Sequence, residues 1–246
     1  MDEIKKYLAC EGRVNIICAE TTELVEEARK IHDLSPVATA ALGRMLTMGS
    51  IMGSNLKDVD ESITLQIKAD GELGKLTCVT EGTSNVRGYV ENPAVDLPLR
   101  SDGKLDVGTA VGTQGFLYVI KDIGLKEPYI GITPLVSGEI AEDFTHYFAV
   151  SEQTPSVVAL GVLTTETHVE YAGGLIVQLM PDATEETISQ LEKNIQNLQS
   201  ITTMLSDGKI PEDILNIVLE DLQPRILDKV DVKFECECSK DKVQEA

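Results

Sequence analysis

Two thiols lie two residues apart, Cys236-Glu-Cys238, in a polar stretch of a 246-residue chain. Thiolates are soft ligands suited to Zn²⁺, and a structural zinc takes four protein ligands, so a C-x-C supplies half of such a set. The same thiolates are oxidisable nucleophiles. The bland alternative is an unpaired dithiol in a tail, because His32, His146 and His168 all lie far away in sequence. Cys10, Cys18 and Cys78 sit in apolar, strand-like contexts and read as small buried hydrophobes. An odd, sparse set of five cysteines argues against a structural disulfide framework.

Signatures of catalysis are poor. Gly108-Thr-Ala-Val-Gly112-Thr-Gln-Gly115 is glycine-rich but has no following Lys-Ser/Thr pair, so it reads as a loop or sheet edge, not a phosphate loop. His146 falls in an alternating run, Phe144-Thr-His-Tyr-Phe148, where a surface position on a strand is expected. Adjacent Glu142 and Asp143 would point to opposite sides of that strand and make no catalytic pair. The chain is therefore not expected to be an enzyme. The rival readings are a thiol oxidoreductase using Cys236 and Cys238, or a structural zinc-binding adaptor.

The elements that must position these thiols begin with two strands within residues 4–19, turning at Glu11-Gly12. Thr22 looks like the N-cap of a helix, and Pro36 opens a second one. The second helix is apolar nearly all round and carries Gly43, Gly49 and Gly53, so it must be buried between layers. Its methionines are core packing on this reading, in preference to a client-binding stripe. Residues 62–180 are β-rich, with strands expected within 63–68, 76–80, 86–90, 116–121, 144–151, 156–163 and 174–180 around a loop at 91–115. Long crossover helices are scarce, which favours antiparallel pairing. The expected fold is α+β: two mainly antiparallel sheets enclosing a buried helix, followed by a helical linker.

That linker, 181–232, holds 11 acidic and 4 basic residues. Asp182-Ala-Thr-Glu185 has capping-box spacing, and Ile188, Leu191, Ile195, Leu198 and Leu205 predict one helix ended by Asp207-Gly208. A second helix is expected from Pro211 to Pro224. Short amphipathic helices are marginal alone in water, so these need a partner: the body of the protein or an unfolded client.

Composition narrows the partners. The net charge of −20 repels phosphate backbones and disfavours nucleic acid. Solubility explains such a charge, as does self-repulsion in a protein that handles sticky clients. With 42% hydrophobic but only 4% aromatic residues, the core must be aliphatic. No signal-peptide pattern opens the chain, and its longest apolar stretch, 36–52, contains Arg44 and is short for a membrane span. A cytoplasmic location, with no membrane partner, is the expectation.

Taken in order, several runs resemble the bacterial 33-kilodalton redox-regulated heat-shock chaperone family. They are Ala41-Leu-Gly-Arg44, Gly103-Lys-Leu-Asp106, Val111-Gly-Thr-Gln-Gly115, Val119-Ile-Lys-Asp122, Val136-Ser-Gly-Glu139, Ser151-Glu-Gln-Thr-Pro155 and Ala172-Gly-Gly174 with Gln178-Leu-Met-Pro181. Each alone means little, but the ordered set spans essentially the whole chain. The resemblance implies a chaperone core (1–180), an acidic helical linker (181–232) and the start of a C-terminal zinc/redox domain (233–246). It implies an ATP-independent holdase for unfolding proteins, active when oxidised, that can form dimers. In the family four thiolates bind zinc in the reduced state, and Cys236 and Cys238 match the first pair. The second pair, a C-x-x-C, is absent from this sequence. A C-terminally truncated chain is therefore expected, with no stable zinc, constitutive holding, and a linker undocked or swapped between subunits.

Overall fold

The computed structural model describes residues 2–196 and 198–236. In chain order the elements are β1 Glu3–Ala9, β2 Val14–Glu20, α1 Thr22–His32, α2 Pro36–Gly53, β3 Ser62–Lys68, β4 Leu76–Glu81, β5 Val86–Val90, α3 Val107–Val111, β6 Phe116–Asp122, β7 Tyr129–Pro134, α4 Ala141–Val150, β8 Ser156–Thr164, β9 Val169–Leu179, α5 Glu185–Gln196, α6 Ile201–Ser206, α7 Pro211–Val218 and β10 Arg225–Asp231.

The apolar helix α2 sits at the centre, as expected. Ser35 caps it by accepting the Ala38 N–H, and Pro36 fills the first turn, where the missing N–H has no helical partner to lose. Met45, Met48 and Met52 are buried in the core with its alanines and leucines. Two five-stranded antiparallel sheets enclose it, in the orders β10-β1-β2-β9-β8 and β5-β4-β3-β6-β7. Close approach is bought by small residues: a Cβ on Gly49 would lie 2.5 Å from the Cys78 sulfur, and one on Gly43 2.7 Å from Val25. Cys78 thus packs between helix and sheet.

Several local expectations are overturned. Residues 144–151 are not a strand; 144–150 belong to α4 and Ser151 caps its C-terminus. Phe144, Tyr147 and Phe148 satisfy helical spacing, and all three are buried. His146 therefore lies on a helix, and Asp143 in its first turn. Strand β7 was not foreseen. The Gly108–Gly115 run opens as the short helix α3 instead of a loop or edge. The first helix starts after Thr21, whose hydroxyl bonds Thr47 at 2.7 Å and does not cap. In the linker, Thr184 caps α5 where Asp182 was expected, its Oγ accepting the Thr187 N–H. The single helix expected up to Asp207-Gly208 breaks before Ser200, which caps α6. The helix opening at Pro211 ends at Val218, short of Pro224. Residues 225–231, past the expected helix end at Pro224 but inside the segment assigned as a helical linker, form a strand, because β1 offers an open backbone edge. Finally, the linker is docked on its own chain, not displaced.

Asp2 performs the capping that Thr22 was expected to do. Its carboxylate accepts the N–H groups of Glu23 (3.1 Å) and Leu24 (2.6 Å) at the start of α1. It is only 3% exposed, and burial pushes its pKa from 3.8 up to about 6, against the two N–H bonds that favour the charged form. The folded state thus holds this proton more tightly than the unfolded chain. Folding free energy contributed by Asp2 is greatest at low pH and is lost as pH rises from about 4 to about 6, by on the order of 3 kcal/mol. Urea titrations at pH 4 and pH 7.5 should show most of this step, and Asp2→Asn should remove it. An unchanged pH difference in the variant would disprove the assignment.

Candidate functional site

The inner face of the first sheet meets α2, and its outer face carries a second apolar cluster. Ala9, Val14, Ile16, Cys18, Leu175 and Val177 form the sheet side of that cluster. Leu191, Ile201, Met204, Leu205, Ile214, Leu215, Val218, Leu219 and Leu222 form the linker side. None of the linker helices is long enough to be stable alone, so this cluster is what orders them. Two glycines let the linker come close. A Cβ on Gly161 would lie 2.8 Å from Thr202 Cγ2, and one on Gly173 3.3 Å from Leu205.

Polar contacts fix the register. Buried Asn194 donates its amide to the carbonyls of Val218 (3.1 Å) and Glu220 (2.9 Å), tying α5 to the end of α7. The Cys10 N–H donates to the Leu222 carbonyl at 3.0 Å. Lys5 bridges Glu3 (2.7 Å) and Glu212 of α7. The Cys10 N–H bond and the Lys5–Glu212 pair exist only while the linker lies in place, and an orphaned buried N–H costs about 1–3 kcal/mol.

Beyond the linker helices, β10 runs along β1 and then crosses to the second sheet. The Val232 N–H bonds the Asp2 carbonyl (3.1 Å). Next, the Val86 N–H bonds the Lys233 carbonyl (3.1 Å), and the Glu235 N–H bonds the Val86 carbonyl (2.8 Å). Phe234 is buried, edge-on to the His32 ring at 6.2 Å. Cys236 follows two residues later and is exposed. By contrast, the β10 strand itself is exposed nearly throughout, so its backbone bonds to β1 are its main support. Such an element opens at low cost.

Among the thiols the contrast is sharp. Burial pushes Cys18 and Cys78 each up to about 12, so both stay protonated and unreactive. Cys10 is half-buried, with its thiol 3.6 Å from the Leu222 carbonyl. Cys238 lies outside the described residues. Among the described residues no three His, Cys, Asp or Glu side chains converge as a metal site. Exposed Cys236, with its neighbour Cys238, fits the donor chemistry of half a thiolate centre. Sequence reasoning found the thiols and the linker's need for a partner. It missed the β10 crossing, whose signal is weak: Arg225-Ile-Leu-Asp-Lys-Val-Asp231 has no clean period.

Comparison with known proteins agrees with this architecture. The family model described as Hsp33 protein matches residues 2–246. The 33 kDa chaperonin of Clostridioides difficile (strain 630) is 57% identical over 245 residues, covering 100% of this chain and 84% of that protein. The 33 kDa chaperonin of Ruminiclostridium cellulolyticum is 50% identical over 243 residues, covering 99% and 83%. The crystal structure of the 33 kDa chaperonin from Thermotoga maritima superposes with a TM-score of 0.93 at 38% identity, covering 99% of this chain and 83% of that one. With the buried helix, the paired sheets and the whole described length accounted for, the chain belongs to the Hsp33 family of chaperones.

Proposed function

We propose that this protein is an ATP-independent holdase whose linker is a latch controlled by the redox state of Cys236 and Cys238. The observation that carries the reading is the β10 crossing. It connects the thiol segment to both sheets and, through Leu222 and β1, to the linker helices. Order in the thiol segment favours a seated β10. Disorder there removes the anchor at Phe234 and leaves an exposed strand that opens readily. The linker helices then hold to the sheet by the second cluster alone. Their release uncovers apolar surface on sheet and linker together, which unfolding proteins can bury at about 25 cal/mol per Å².

Cys236 and Cys238 would hold a zinc ion with two further thiolates, and the matched relatives are longer than the stretch covered here. When bound, the metal supplies folding free energy to a small domain with little core. Oxidation of the thiols withdraws those ligands. The net charge of −20 keeps chaperone–client complexes apart in solution.

Cys18 reports the latch, because it lies beneath the linker, whereas Cys78 lies between the sheets. The full-length protein should suppress aggregation of a thermally unfolding enzyme after peroxide treatment and much less before it. Alkylation of Cys18 should accelerate in step, with Cys78 still protected. Replacing Cys236 and Cys238 by serine should abolish the response to peroxide. Holding that appears while Cys18 stays protected would refute a latch at this position.

A further inference from the structure

We propose that the free edge of the second sheet, strand β7 with the outer face of β6, binds an extended apolar segment of the client as an added strand. The proposal rests on the holdase reading and names a surface for it away from the linker.

Three cross-strand pairs make the outer face here: Phe116 with Pro134, Tyr118 with Ile132, and Ile120 with Ile130. Ile130 is 54% exposed, Ile132 52% and Phe116 47%. Scattered exposed hydrophobes are ordinary, but directly opposed pairs along two strands form a continuous patch. β7 also ends its sheet, so one side of its backbone has no strand partner among the described residues.

The other three edges are guarded. At β5, Val86 is bridged by Phe234 and its neighbours. β8 packs against α4, with the Val158 N–H bonded to Thr145 Oγ1 at 3.2 Å. β10 carries Arg225, Asp228, Lys229 and Asp231, the charges that discourage strand addition. β7, Tyr-Ile-Gly-Ile-Thr-Pro, carries no charge at all. It is also held firmly from below, where a Cβ on Gly131 would meet the Tyr147 ring at 2.8 Å.

An open backbone edge beside an apolar stripe selects its occupant. Only an extended chain can pair with the edge while laying every second side chain on the stripe. A second copy of this chain would bring another −20 to the encounter, so charge favours a neutral or basic segment over self-association. The linker covers the other sheet, so this edge can take a single strand in either redox state, whereas holding a whole client also needs the apolar surface that the latch uncovers.

The test uses the full-length protein and a fluorescent ten-residue peptide alternating Val and Thr, with lysine at both ends. Anisotropy should show binding that weakens at least about tenfold in Ile130→Lys/Ile132→Lys and in the milder Ile130→Thr/Ile132→Thr, in reduced and oxidised protein alike. The same peptide N-methylated at alternate residues should lose binding. Unchanged affinity in both variants, or equal binding of the methylated peptide, overturns the proposal. So does a dimer that dissociates in the variants while peptide affinity stays constant. If wild type holds a thermally unfolding enzyme and the variants hold it equally, this surface is wrong and the holdase reading stands. If wild type holds nothing, both fall.

Discussion

Replacing Leu215 with alanine is expected to move the linker from docked toward free by about a hundredfold and to produce client holding without oxidant. Leu215 is 1% exposed and sits in the cluster that joins α7 to β2 and β9. Truncating a buried leucine costs about 2–5 kcal/mol. A value near 3 kcal/mol is reasonable for a peripheral helix that relaxes in part, and that is about a hundredfold in equilibrium. The sheet and α2 retain their own core, so the loss should fall on docking and not on the fold. The alkylation rate of Cys18 in the reduced protein measures the shift directly. Ile210→Ala is the control: it lies at the head of the same helix but is 53% exposed, so it should change nothing. Equal Cys18 rates in wild type and Leu215→Ala would mean that the cluster does not hold the linker.

Which parts of this arrangement could be read in advance follows from the strength of each local signal. α2 was legible because 18 residues without a polar face admit only one environment. The hairpin β1–β2 and strands β3 to β6 were legible through alternation and turn residues. Where two periods coincide, the sequence misleads: Phe144, Tyr147 and Phe148 fit a strand's aromatic content and a helix's spacing equally well. Elements decided by long-range backbone pairing left little trace. β10 exists because β1 has an unpaired edge 220 residues earlier, as Glu3 facing Asp231 and Leu8 facing Arg225 illustrate. The candidate site divides the same way. Cys236 and the linker's apolar spacing were visible, but the crossing that joins them is tertiary. The docked linker also differs from the expected free one, since the second cluster needs only sheet and helices that the chain itself contains.

Asp143 shows how much can hang on a residue whose role the sequence hides. Read as a strand position it had no task; in α4 it is 1% exposed and accepts three backbone N–H groups. Its Oδ1 takes those of Val136 (2.7 Å) and Ser137 (3.1 Å), and its Oδ2 that of Ile140 (3.0 Å). Ile140 has φ 66°, a left-handed conformation that a β-branched residue adopts only under constraint, and the Asp143 bond supplies it. The loop so held carries Glu139, which pairs with Arg44 (2.7 Å) and Arg100 (3.2 Å). Asp143→Ala removes three acceptors at once. Water can reach the N–H of half-exposed Ser137 but not that of buried Ile140, so the cost should be about 3 kcal/mol and not three full penalties. Asp143→Asn keeps one acceptor oxygen and should recover roughly half of that. Urea denaturation should show the midpoint falling with an unchanged slope, since the surface exposed on unfolding is the same. If alanine costs no more than asparagine, the loop is held by its glycine turn and packing, and the carboxylate is incidental.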